Sequence, residues 1–256
     1  MRAEHCIKHG HSFCFTTGNY HITTTPLKEW EYVVGRRQGR PVPCPDMGSG
    51  RRLRALEQLM HIPLTVKSGL TRAEVIAVVL YTGPMVLPLS TAREIAACSC
   101  HSPAISRFLQ FQIYNSILRR YPVATYEFFS SHHNTFSTTI FVLVSAVQKI
   151  SRCMHIAPGT LLYRGLGGKL ELPDSFQEVD SNGCRGYAEW GFMSTTADKA
   201  VALQYSGVKE HREHASIMVI HPNSIDRGAC IADLSQCVAT NQFAYRINTG
   251  QMLSQL

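Results

Sequence analysis

One arginine and a run of hydroxyls are the residues of this chain best placed to do chemistry. Arg164 stands inside an apolar, β-prone stretch, Thr160 to Leu166, and Ser194, Thr195 and Thr196 close an aromatic-rich one, Tyr187 to Thr196. Both stretches have the length and composition of strands. A guanidinium stays charged at any working pH and grips an anionic group through several parallel N–H donors. Hydroxyls beside it can hold a second polar group by donating or accepting. Gly165, Gly167 and Gly168 follow the arginine, where missing side chains would let the backbone approach a ligand closely. Beyond the hydroxyls, Ala197, Val201 and Tyr205 fall at helical spacing. That spacing predicts a short helix capped by Thr196, with Asp198 in its first turn.

Alone, a Tyr-Arg-Gly or an aromatic followed by Ser-Thr-Thr is an ordinary strand end; order and spacing together say more. Tyr163, Arg164 and Gly165, then Phe192, Met193, Ser194, Thr195 and Thr196 with a helix after them, resemble the mono-ADP-ribosyltransferase family in its arginine, serine, glutamate branch. The resemblance spans roughly residues 70 to 236, apart from 86 to 110. It implies a helical lobe beside a β core whose two small sheets form an NAD cleft. It also implies an activity, transfer of ADP-ribose from the substrate NAD to an arginine of an acceptor protein. On that footing Arg164 and Ser194 are the catalytic candidates, and Tyr163, Arg164, Gly165, Phe192, Ser194 and Thr195 form the NAD-binding set. Arg164 would anchor the diphosphate, Ser194 and Thr195 would order the ribose and a carboxylate, and Phe192 would pack against nicotinamide. Tyr187 and Trp190 read either as walls of that pocket or as core.

Breaking the bond from ribose to nicotinamide builds oxocarbenium-like charge, which a fixed carboxylate stabilises. The family supplies it from a Glu-x-Glu pair, and that element is not found. No glutamate follows Glu213, and the positions nearest to the expected pair are Thr240 and Gln242. The expectation is therefore an impaired arginine-specific transferase. The alternative is a non-catalytic NAD-binding or protein-interaction relic of the same fold.

These residues need elements to position them. A helix is predicted over Arg51 to Met60 from Leu53, Leu56 and Leu59. A clearer one starts at Thr71, where Thr71 and Glu74 make a capping box and Leu70 can staple to Val75. Its apolar run, Val75 to Leu80, stops at Tyr81, Thr82, Gly83 and Pro84. Helix is also predicted from Asn115 to Arg120, ended by Pro122, and over Ser137 to Cys153. The latter is apolar at Ile140, Phe141, Val144, Val147 and Ile150, with Lys149 and Arg152 near its C-terminus. A strand, Ser216 to His221, ends at Pro222. The predicted class is α+β: an irregular leader over 1–50, then one domain over 51–256 with its helices before its strands.

That domain carries an interruption. Members of the family follow a Tyr-Thr-Gly segment closely with a Tyr, an Asn and a Leu-Arg pair, which stand here only at Tyr114, Asn115, Leu118 and Arg119. Removing Val86 to Gln110, which has no sustained period, would restore the spacing. Valine codons begin GT and glutamine can be encoded CAG, the ends of a spliceosomal intron, so retained intron sequence is one reading and a surface loop the other. The tail from Val238 to Leu256 likewise begins with valine and loses the resemblance.

Composition sets wider limits. Lys and Arg outnumber Asp and Glu by 25 to 18, a net charge of +7, with arginines gathered at 36, 37, 40, 51, 52 and 54. No zinc-finger, RRM or basic-zipper pattern accompanies them, so a nucleic-acid partner is not expected. The nine cysteines include no CxxC pair, and a hydrophobic fraction of 45% supports a core. His5, His9 and His11 near Cys6 and Cys14 read as a polar leader, and no metal site is expected. The N-terminus lacks an apolar signal core, and the run from Ile140 to Val147 is too short to span a bilayer. Free thiols in an intracellular, cytoplasmic setting are the expectation.

Overall fold

Helices fill the first part of the described chain and antiparallel strands the second, so the class is α+β. The computed structural model describes residues 25–27, 29, 56–86, 107–131, 134–166, 178, 179, 181, 183, 189–206, 216–222, 228–235 and 242–245. The helices are α1 (Leu56–Met60), α2 (Pro63–Ser68), α3 (Arg72–Tyr81), α4 (Gln110–Arg119), α5 (Val123–Ser131) and α6 (Ser137–Cys153). A hairpin of β1 (Pro84–Val86) and β2 (Arg107–Leu109) joins α3 to α4. The later elements are β3 (Leu162–Leu166), β4 (Met193–Thr196), α7 (Lys199–Tyr205), β5 (Ser216–Ile220), β6 (Ala229–Cys230) and β7 (Gln242–Tyr245).

Local signals account for much of the helical part. The capping box closes in both directions: the Glu74 N–H donates to Thr71 Oγ1 at 3.3 Å and the Thr71 N–H to Glu74 Oε2 at 2.7 Å. Leu70 and Val75, the predicted staple, are both buried. Helix α6 has the predicted bounds, with Ile140, Leu143, Val144, Val147 and Ile150 buried. Phe141 corrects the predicted stripe: it is 46% exposed, and Leu143 takes its place. A helical period that keeps residues 140, 143, 144 and 147 inward turns 141 outward. Lys149 serves α6 through an ion pair with the Glu74 carboxylate at 2.8 Å, which fastens it to α3. Two helices were not foreseen. Helix α2 opens with Pro63 in its first turn and closes on the left-handed Gly69; α5 follows Pro122.

Part of the stretch read as an irregular leader belongs to the fold. Pro26, Leu27 and Glu29 are helical, and Glu29 is 2% exposed. Its carboxylate accepts from the Thr138 N–H at 2.9 Å, the Thr139 N–H at 2.8 Å and Thr139 Oγ1 at 2.6 Å. Residue 136, which precedes α6, is a phenylalanine in the left-handed region (φ 50°) and supplies no side-chain cap. Glu29 thus satisfies N–H groups that the helix start leaves open, and its charge suits that end of the helix dipole. Apart from Thr25, the remaining leader positions, including His5, His9 and His11, lie outside the described residues.

Both ends of the suspected insert enter regular structure. Val86 pairs with Arg107 in the hairpin, and Gln110 opens α4. The five-stranded sheet runs in the order β5-β3-β4-β7-β6, each neighbouring pair antiparallel. Strand β4 begins later than the predicted Tyr187–Thr196: Phe192, just before it, gives its backbone N–H and carbonyl to the Asn115 side chain of α4 in place of a ladder. Phe192, Ala229, Ile231 and Leu234 join the helical core, whereas Leu162, Met193, Met218 and Ile220 make a small cluster of their own. Among the described residues no helix is long and apolar enough to cross a membrane.

Candidate functional site

Antiparallel pairing of β3 with β4 sets Tyr163 opposite Thr196 and so brings the arginine stretch beside the hydroxyl stretch. The Arg164 Nη1 donates to the Ser194 backbone carbonyl at 3.1 Å. Arg164 and Ser194 are both half-buried, as is Tyr163. Strand alternation sends Met193 and Thr195 to one face and Ser194 to the other. Met193 joins the small sheet cluster, and Thr195 is only 4% exposed. Ser194 turns toward the helices, where its Oγ lies 2.8 Å from the Tyr81 hydroxyl.

Two residues of the predicted set, Gly165 and Phe192, have structural work that the sequence did not reveal, and the predicted cap of the short helix is replaced. A Cβ on Gly165 would come within 2.2 Å of the Ala202 carbonyl oxygen and 2.7 Å of the Ser206 nitrogen. The close backbone approach predicted there is made by α7. Phe192 is 1% exposed, its ring 5.4 Å from that of Tyr81, so it is a wall between sheet and helices. The short helix is capped by Asp198, whose carboxylate accepts from the Ala200 N–H at 2.8 Å. Thr196, the predicted cap, accepts instead from the Asp198 N–H at 3.1 Å. Gly167, Gly168, Tyr187 and Thr240 lie outside the described residues, whereas Trp190 is 52% exposed and is not core.

The site also contains a carboxylate that a search of the chain beyond Glu213 misses. Glu189 takes a two-pronged grip from Arg119, Nε to Oε1 and Nη2 to Oε2, each at 2.8 Å. The Gly191 N–H adds a third donor, at 2.8 Å from Oε1. Burial would push this carboxyl up, but Arg119 and the Gly191 N–H outweigh it and hold it below the ordinary carboxylate value. One turn earlier on α4, Asn115 takes both backbone groups of Phe192, accepting its N–H at 2.6 Å and donating to its carbonyl at 3.0 Å. Gly191 fits beneath these two side chains, since a Cβ there would stand 2.8 Å from Asn115 Oδ1.

Tyr81, Asn115 and Arg119 therefore fix the edge of β4 from the helical side. Their only trace in the sequence is the broken Tyr-Thr-Gly and Tyr-Asn segment, whose halves the hairpin rejoins. On the far side of β4, β7 sets Gln242 opposite Thr196 and Ala244 opposite Ser194. The arrangement combines an anchored guanidinium, an oriented hydroxyl and an ionised but fully engaged carboxylate, chemistry suited to holding an anionic, hydroxyl-bearing ligand. Set against known protein families, curated proteins and solved structures, the chain finds no match.

Proposed function

We propose that this chain binds NAD and derives from mono-ADP-ribosyltransferases that modify arginine in an acceptor protein. The observation that carries the reading is the meeting of Arg164 and Ser194, thirty residues apart, on neighbouring strands. On this reading the five-stranded sheet is the described part of a two-sheet core. Arg164 grips the diphosphate, and Ser194, with Tyr163 beside the cleft, holds the ribose. Phe192 and Gly165 act behind them as supports. Cys153 and Cys230 are both free thiols, which suits a reducing, cytoplasmic setting.

The engaged state of Glu189 favours a second reading, in which binding persists without transfer. A carboxylate already balanced by a guanidinium has little charge to offer a developing ribose cation. Losing one such electrostatic partner typically costs about 100- to 1000-fold in rate. The direct test is calorimetry with NAD. Arg164→Lys keeps the charge but loses the planar fork, and is expected to weaken binding by roughly 1 to 3 kcal/mol. Unchanged affinity would remove Arg164 from the site. In parallel, labelled NAD with an arginine-rich acceptor should show little or no transfer. Robust transfer that Arg164→Ala abolishes would establish a working carboxylate and overturn the second reading.

A further inference from the structure

We infer that Tyr81 is a positioning residue, which donates its phenolic hydrogen to Ser194 Oγ and so leaves the Ser194 hydroxyl hydrogen aimed at the bound nucleotide. The inference rests on the reading of Ser194 as an NAD-binding residue and gives that residue a defined polarity. Tyr81 is 2% exposed, and among the described residues its hydroxyl has one geometric hydrogen-bond partner, the Ser194 Oγ at 2.8 Å.

Two hydrogen-bond directions are open to such a pair, and they differ in what they strand. If Ser194 donated, the phenolic hydrogen would be buried without an acceptor, at a cost of about 1 to 3 kcal/mol. Asn115 is engaged with Phe192, its Oδ1 receiving the Phe192 N–H at 2.6 Å and its amide donating to the Phe192 carbonyl at 3.0 Å, and it makes no geometric hydrogen bond with the phenol. If Tyr81 donates, nothing is stranded. The half-buried serine then has its own hydrogen left for a ligand oxygen. Burial also pushes the phenol above its ordinary value, so it keeps the hydrogen it must give at any physiological pH.

The test is a double-mutant cycle on NAD affinity, read by calorimetry in the full chain with Tyr81→Phe, Ser194→Ala and both together. Phenylalanine retains the ring, which lies against Phe192, Tyr114 and Phe111. Each single change should weaken NAD binding roughly three- to tenfold, the span of one neutral hydrogen bond. The double change should be no worse than the weaker single, because the phenol acts only through the serine. A merely structural Tyr81 would give losses that multiply, which overturns the inference. So would normal affinity in Tyr81→Phe beside a loss in Ser194→Ala, a result that leaves the nucleotide reading intact. Normal affinity in Ser194→Ala, or no NAD binding by the wild type, overturns the nucleotide reading and the inference with it.

Discussion

Glu189 shows how one residue reports on the whole site. Its carboxyl is buried to 9% exposure and still sits below the ordinary carboxylate value of 4.5, because Arg119 and the Gly191 N–H favour its charged form. A group whose folded value is depressed contributes stability above its unfolded value, and that contribution is lost as pH falls through the folded one. Glu74 is shifted the same way: burial opposes its charge, while Lys149, Ser145 and Thr71 more than offset it. Chemical denaturation should therefore show stability level near neutrality and falling once pH drops below about 4.5. Glu189→Gln should be less stable at neutral pH and show a shallower fall. An unchanged acid limb in Glu189→Gln would mean the Arg119 pair does not form in solution.

Among the elements, α6 depends most on a distant partner. Its start has no side-chain cap from Phe136, so Glu29 receives the open N–H groups of Thr138 and Thr139 across about 110 residues of chain. Glu29→Ala would leave those donors buried without partners and remove a charge from the helix start. It should destabilise the protein by about 2 to 3 kcal/mol in urea unfolding. A change below the error of that measurement would return the leader to an accessory role. The hairpin makes a separate prediction. Since Val86 and Arg107 are register partners, residues 87–106 can be replaced by an Asn-Gly turn that closes β1 on β2. If that segment is foreign to the fold, as its lack of period suggests, the shortened chain keeps or gains melting temperature. A clear drop would show that the segment packs.

For the molecule as a whole, what could be read in the sequence was whatever neighbouring residues settle among themselves. The Thr71 capping box, the bounds of α6 and the strand around Arg164 are short-range patterns, and all three stand where they were expected. Tyr81, Asn115 and Arg119 were visible as letters but not as a unit, because what they hold lies some 70 to 110 residues away. Glu189 lies before the place where a Glu-x-Glu pair would fall, so the family pattern does not point to it. Nothing local to Gly165 announces that α7 packs onto it. The same unevenness bears on how the chain comes off the ribosome. Most of the large buried cluster belongs to helices made before residue 154, whereas among the described residues the sheet's own cluster is Leu162, Met193, Met218 and Ile220. The half made first therefore carries most of that cluster together with Asn115 and Arg119, and Phe192, Ala229, Ile231 and Leu234 complete it only when the later half arrives.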